Sequence, residues 1–356
     1  MKITIIGAGN GGQAMAGHFA SLGHNVTLYN RSIGKLLGLT ENGSIQLKGA
    51  ISGFGKIVLV TDNLQEALKD AELIMVTTTA DAHKQLAETM APYVQEEQVI
   101  ILNPGRTLGA LEFSVAIKKI TNKRIYIAEA QSLIYACRAD TPGIVRVIGV
   151  KDKVLLAAYP ASDTDRVLNM VNSVYSCFVK VDNILVTGLE NIGAIFHPSV
   201  VLFNAAAIER GEKFYFYNDM TPSIANFLIE IDQERLDVGK AFGIQLHSVS
   251  DWVSLAYTNI EGEDLCEKMR NNPAYYQIQA PGQLKSRLLT EDVPTGILPI
   301  MELGKAAGLK MPLMSSVFTL SEGLLKIDFR SQGRTLKNLG LDKLSVSRIS
   351  ELVGHQ

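Results

Sequence analysis

The chain opens on a run of β-branched residues, Ile3-Thr4-Ile5-Ile6, that passes at once into glycines. Short apolar runs then alternate with amphipathic stretches through the first half. Apolar runs at 3–6, 26–29, 73–77, 99–102, 125–128 and 145–150 predict strands, and 45–47 and 57–60 predict two short extended segments around Gly49, Gly53 and Gly55. Helical periodicity fills 12–22, 64–69 and 82–93 between them. Strands apolar throughout and separated by helices imply a parallel sheet covered on both faces. After about residue 182 helical patterns take over, with long helices at 191–209, 223–242 and 296–308. The expected fold class is α/β: an N-terminal Rossmann dinucleotide-binding domain over 1–182 and a second, mostly α-helical substrate and catalytic domain over 183–356. No internal repeat, low-complexity tract or flexible linker interrupts this plan.

Composition narrows the function classes. Lys plus Arg is 34 and Asp plus Glu is 36, so a net charge of −2 gives no field that would recruit nucleic acid or an anionic membrane. Cys137, Cys177 and Cys266 lie far apart in odd number, with neither a metal-ligand spacing nor a secreted disulfide framework. The N-terminus lacks the long apolar region and cleavage site of a secretory signal. No uninterrupted apolar run approaches the roughly 20 residues of a membrane span. The expectation is a soluble cytoplasmic protein acting on small molecules, without nucleic-acid, membrane or metal partners. The apolar helices of the second domain permit a homodimer.

The chemistry begins in Gly7-Ala8-Gly9-Asn10-Gly11-Gly12, which carries the Rossmann spacing at Gly7, Gly9 and Gly12. Gly7 allows the tight strand-to-helix turn, Gly9 lets backbone approach a pyrophosphate, and Gly12 lets the helix pack close to the strand. The amides and positive dipole end of the following helix, from Asn10 and Gly11 on, suit phosphate. Glycines are common in turns, but here they stand between a β-branched strand and a helix, the context that gives the pattern its meaning. The second strand ends in Asn30-Arg31-Ser32. NAD-preferring folds place a carboxylate there for the ribose 2′-hydroxyl. Asn30 would not repel a 2′-phosphate, while Arg31 and Ser32 offer it a charged fork and a hydroxyl. NADP(H) is therefore expected ahead of NAD(H), which remains usable. Thr78, at a later strand end, is expected on the nicotinamide side of the cofactor.

Six histidines are present. His18 and His24 read as structural, His83 as a surface residue at a helix start, and His355 as part of a mobile terminus. His197 differs. It stands before Pro198 in an otherwise apolar helical stretch, where the missing amide of Pro198 leaves the Ala194 carbonyl without its helical partner and a kink is expected. An imidazole there suits proton transfer near neutral pH; a lone histidine in a core is more often simply hydrogen-bonded. Farther on, Arg287 and Thr290-Glu291-Asp292 put charges at the entrance of an apolar helix, where Asp292 reads equally as a helix cap.

With these segments, the chain resembles the opine dehydrogenases of the octopine/nopaline type over nearly its whole length. The resemblance rests on Gly7-Ala8-Gly9-Asn10-Gly11-Gly12, Asn103-Pro104-Gly105, the stretch from Ser132 to Arg138, His197-Pro198, Asn271-Asn272-Pro273-Ala274-Tyr275, and Arg287 with Thr290-Glu291-Asp292. It implies reductive condensation of a 2-oxo acid such as pyruvate with the amino group of an L-amino acid, the imine being reduced by NAD(P)H. It also implies a catalytic His197, its aspartate partner Asp292, and a substrate-carboxylate arginine at Arg287. Departures are informative. Relatives of this type carry an asparagine four residues before the histidine; here Gly193 stands there, and either Asn191, six before, substitutes through the kink or a water does. The acid that binds a guanidinium in octopine-type members is matched by Gln131, which favours a neutral amino acid. A simple 2-oxo acid reductase of the ketopantoate reductase kind and a non-catalytic dinucleotide sensor are the alternatives.

Overall fold

The computed structural model describes residues 1–32, 34, 36, 38–39, 43–256 and 260–354. His355, expected to be mobile, lies outside them. The chain divides into two compact units, Met1–Thr187 joined by Leu352–Gln356, and Gly188–Glu351. The expected boundary at residue 182 thus lies just before the division at Thr187/Gly188, and the chain's end belongs with the first unit.

In the first unit the described strands are β1 (Lys2–Ile6), β2 (Asn25–Tyr29), β3 (Ser44–Gly49), β4 (Gly53–Lys56), β5 (Leu59–Thr61), β6 (Leu73–Val76), β7 (Val99–Leu102), β8 (Tyr126–Ala130), β9 (Tyr135–Thr141), β10 (Ile144–Val150), β11 (Val154–Tyr159) and β12 (Phe178–Lys180). Eight of them form one sheet in the order β12-β11-β8-β7-β6-β1-β2-β5. Every neighbouring pair runs parallel except β11 with β8. From β1 the chain builds outward through β2 and β5, then returns to the other side of β1 for β6, β7 and β8. That reversal is the topological switch point at which α/β sheets bind their ligands. The central strands β6 and β7 read Leu-Ile-Met-Val and Val-Ile-Ile-Leu and are buried at every position, as the apolar runs predict. Each such side chain contributes roughly 1.5–3 kcal/mol when fully buried.

The segments at 45–47 and 145–150 correct the single-sheet expectation. They belong to β3 and β10 in a separate four-stranded sheet ordered β4-β3-β10-β9. This sheet packs on the first helix, α1 (Asn10–Ser21). The approach is so close that a Cβ on Gly55 would stand 2.1 Å from the Gly17 carbonyl oxygen. With one face against α1, the strands alternate buried and open positions instead of being apolar throughout. β9, carrying Arg138 and Asp140, does not register as an apolar run at all. Among the described residues the unit's other α-helices are α2 (Leu64–Leu68), α3 (His83–Met90), α4 (Gly109–Lys118) and α5 (Thr164–Val174).

After α6 (Ile184–Leu189), which crosses the division, the second unit is helical among its described residues: α7 (Ile192–Phe203), α8 (Ala205–Glu209), α9 (Pro222–Ala241), α10 (Val249–Ala256), α11 (Leu265–Arg270), α12 (Arg287–Thr290), α13 (Leu298–Ala306), α14 (Pro312–Leu325), α15 (Phe329–Gln332) and α16 (Val346–Gly354), the last of which crosses back into the first unit at Leu352. A π-helical turn, Val293–Ile297, joins α12 to α13, so the helix read at 296–308 begins in a wide turn. The helix read at 191–209 runs through Pro198 and breaks at Asn204. The stretch Ile184–Phe203 has the length and composition of a membrane span, against expectation, but 83% of its most apolar window is buried inside the protein.

Buried polar anchors fix the helices. The wholly buried Arg235 donates to Asp232 Oδ1 at 2.7 Å and to the Leu189 and His247 carbonyls at 2.8 and 2.6 Å. Glu234, next to it on α9, accepts the Leu313 and Met314 amides at the start of α14 at 2.7 and 2.9 Å. A carboxylate at a helix N-terminus satisfies open donors and complements the dipole.

Candidate active site

In the first unit a dinucleotide site grows from the turn between β1 and α1. Gly7 sits at φ +107°, in the left-handed region, against Thr77 and Thr78 of the β6 end. Gly12 tolerates no side chain, because a Cβ there would lie 1.7 Å from the Gly7 carbonyl oxygen. Gly9 is the opposite case: a Cβ would meet nothing within 4 Å, so its backbone faces open space. A Cβ on Gly11 would press on the Leu133 side chain at 2.7 Å. Gly9 offers no side chain to cap α1, and no acidic residue occupies the first turn. These features fit a dinucleotide pyrophosphate: amides open at a positive helix end, and a backbone stripped of side chains.

Two asparagines brace this loop. Asn30 Oδ1 accepts the Ala8 amide at 3.1 Å, and its Nδ2 donates to the Ser32 carbonyl at 3.1 Å, so its side chain is tied to the loop. Asn10 Oδ1 accepts the Ala139 amide of β9 at 3.0 Å, anchoring the helix start to the second sheet. Arg31 and Ser32 follow, both exposed. Thr78 Oγ1 is buried with no partner, a hydroxyl still to be satisfied at the switch point. His83, expected at the surface, is wholly buried. Gln131 is half-buried just past β8, its amide on the Leu155 carbonyl at 2.9 Å. Nearby, Lys151 donates to Ser132 Oγ at 2.8 Å; burial, with Arg106 close by, pushes its ammonium down from 10.5 to about 8.

The helical unit carries a cluster of its own. His197 Nδ1 and Asp292 Oδ2 are 2.7 Å apart across 95 residues of sequence. Asp292 is fully buried and His197 is 16% exposed. Packing explains the pairing. A Cβ on Gly296 would stand 2.5 Å from the Ala194 Cβ, so the π-helical turn and α7 touch at these two small residues. His197 lies three residues after Ala194, and Asp292 four before Gly296, so each extends along the same face of its element. The Asp292 side chain makes no cap bond, which rules against the helix-cap reading. Asn191 is 2% exposed, with its amide nitrogen 3.1 Å from the place of a Gly296 Cβ, inside the same junction. Arg287 is 58% exposed, with Nη1 3.3 Å from Oε2 of the buried Glu291.

Sequence reasoning missed Tyr217. Its hydroxyl lies 3.3 Å from His197 Nε2, the nitrogen opposite Asp292. The signal was available in the aromatic run Phe214-Tyr215-Phe216-Tyr217, which has no helical or strand period. Among the described residues no cluster of three His, Cys, Asp or Glu side chains has the arrangement of a metal site.

A dinucleotide loop in one unit and a buried histidine–carboxylate pair in the other narrow the comparison to dehydrogenases of this plan. An opine dehydrogenase of Arthrobacter sp. (strain 1C) is 35% identical over 352 residues, covering 98% of both chains. The chain belongs to the opine dehydrogenase family. Its residues 180–325 match the NAD/NADP octopine/nopaline dehydrogenase, alpha-helical domain, and residues 2–124 match the NAD-dependent glycerol-3-phosphate dehydrogenase N-terminus. Vitopine synthase of Allorhizobium ampelinum is 25% identical over 98% of both chains. In fold, the chain is similar to octopine dehydrogenase solved with NADH and L-arginine, at TM-score 0.82 and 18% identity over 100% of this chain and 99% of that one. Yersinopine dehydrogenase with NADP+ gives 0.72 at 15% identity over 99% and 97%. Like other opine dehydrogenases, the chain is an NAD(P)-dependent oxidoreductase acting on CH–NH bonds.

Proposed function

We propose that this opine dehydrogenase joins a 2-oxo acid such as pyruvate to the amino group of a neutral L-amino acid and reduces the resulting imine, using NADPH in preference to NADH. The observation that carries the reading is the His197–Asp292 pair, 2.7 Å apart with the carboxylate fully buried, in a chain that also builds a dinucleotide loop. The choice of oxo acid follows the octopine dehydrogenase solved with pyruvate, a neighbour at 19% identity. Gln131 supports a neutral amino acid, since an amide cannot neutralise a cationic side chain. Arg31 and Ser32, exposed after a strand end without a carboxylate, support the 2′-phosphate. Three free, buried cysteines support a reducing cytoplasm.

The protein's part is positioning and proton handling. Gly7, Gly9, Gly11 and Gly12 would hold the pyrophosphate against the start of α1, and Thr78 would meet the cofactor's nicotinamide half. When bound, the cofactor supplies the hydride. With Nδ1–H donated to Asp292, His197 presents Nε2 to the substrate and exchanges a proton with its nitrogen or carbonyl oxygen. Asp292 fixes that tautomer and stabilises the imidazolium, as the acidic member of a catalytic triad does. The N–H groups of Arg287 not turned to Glu291 are suited to a substrate carboxylate.

The test is a grid of 2-oxo acids against amino acids, following NADPH consumption and confirming the product mass. Consumption that requires both substrates and yields the secondary amine is expected. A full rate with the oxo acid alone would refute the reading in favour of a simple oxo-acid reductase.

A further inference from the structure

Resting on the reading above, we infer that Tyr217 is the positioning and relay residue for His197. Its hydroxyl holds Nε2 until substrate arrives and then passes a proton to it. With Nδ1–H directed to Asp292, Nε2 is an acceptor, and the Tyr217 O–H stands 3.3 Å from it. That is long for an O–H···N bond, as suits a contact the substrate must displace.

The hydroxyl is placed by a built surround. The Tyr217 ring stacks on Tyr275 with centroids 4.1 Å apart and an interplanar angle of 16°. Phe216 meets it edge-on at 4.9 Å and also lies 6.0 Å from the His197 ring. The backbone on either side is pinned: the Phe216 amide donates to Ile278 O at 2.7 Å, and the Gln277 amide to Asn218 Oδ1 at 2.9 Å. Tyr275 is held by the turn Pro273–Tyr275, where Asn272 Oδ1 accepts the Ala274 amide at 3.0 Å. The Asn271-Asn272-Pro273-Ala274-Tyr275 segment therefore carries the platform under Tyr217.

The proton balance calls for such a group. Condensing an ammonium with a carbonyl gives an iminium and water; hydride then gives a neutral amine, which takes up one proton. Nε2 carries a lone pair at rest, so it must be protonated first: Tyr217 passes its hydroxyl proton to Nε2 as hydronium in bulk solvent gives one to the Tyr217 oxygen, and the imidazolium so formed delivers the proton to the amine, leaving both residues as they began. Tyr217 is half-buried, so it keeps part of its surface in solvent.

Tyr217→Phe keeps the stack and removes the hydroxyl. Expected are a kcat lower by roughly ten- to a hundredfold, unchanged KM values and NADPH affinity, a larger solvent deuterium isotope effect on kcat, and partial rescue by small exogenous acids. Tyr275→Leu should shift the same quantities the same way, by less. Because the hydrogen bond shields Nε2, its nitrogen-15 resonance should move downfield in Tyr217→Phe, a readout that needs no turnover. Wild-type kcat in Tyr217→Phe, a lower kcat with an unchanged isotope effect and no rescue, or an unmoved Nε2 resonance would each overturn the inference. Failure of the wild type to consume NADPH with any substrate pair would sink the function reading alone, leaving the resonance to decide on Tyr217.

Discussion

Asp292→Asn isolates the charge of the buried carboxylate, because the substitution keeps size and shape while removing the charge opposite His197 Nδ1. Two consequences follow from the 2.7 Å contact. If the new amide turns its oxygen to Nδ1–H, the tautomer survives but the imidazolium loses its counter-charge. If it turns its NH2 group, Nδ1 becomes the acceptor and the proton moves to Nε2, the wrong nitrogen to take one up. Either way the histidine stops cycling its proton. General acid–base catalysis is worth ~10²–10⁴ in rate, about 3–5 kcal/mol on the barrier, and kcat should fall by that factor. The assay is NADPH oxidation under saturating oxo acid and amino acid, with NADPH affinity measured by titration. That affinity should hold, since the dinucleotide loop belongs to the other unit. Thermal stability should change little, because Asp292 caps no helix. A kcat within threefold of the wild type would refute the reasoning, and so would an equal loss of NADPH affinity.

Arg31→Ala should lower the ratio of kcat/KM for NADPH over NADH by at least roughly tenfold while leaving the NADH value intact; an unchanged ratio would show that the 2′-phosphate is not read there. Lys151→Met should stabilise the protein at pH 7 by at most about 3 kcal/mol, the 10.5-to-8 displacement converted at 1.36 kcal/mol per unit, less the bond to Ser132. A lysine with a lowered folded pKa binds fewer protons when folded, so the wild type loses stability as pH falls from 10.5 toward 8. The variant's gain in denaturant melts should be complete below pH 8 and absent above 10.5, and a gain independent of pH would contradict the displacement.

What the sequence made legible follows how local each cause is. The glycine loop and the buried strands β6 and β7 could be read directly, since a turn needing Gly7 or Gly12 and a strand covered on both faces leave marks within a few residues. The separate sheet was not legible, because what sets β3 and β4 apart is the approach of Gly17 to Gly55, two glycines on different elements. His83 was misplaced for the same reason: a helix start says nothing about what packs over it. The pairing of His197 with Asp292 spans 95 residues, and no periodicity reaches that far; only the family resemblance joined them. The reasoning from Gly193, one turn before His197, found the right helix but missed the contact that matters. Ala194 against Gly296 sets the distance between α7 and the π-helical turn, and hence whether an imidazole and a carboxylate can meet. A larger residue at either position would push the two elements apart before it touched the reacting groups. The small side chains at 194 and 296 are therefore as much a condition of proton transfer as the histidine itself.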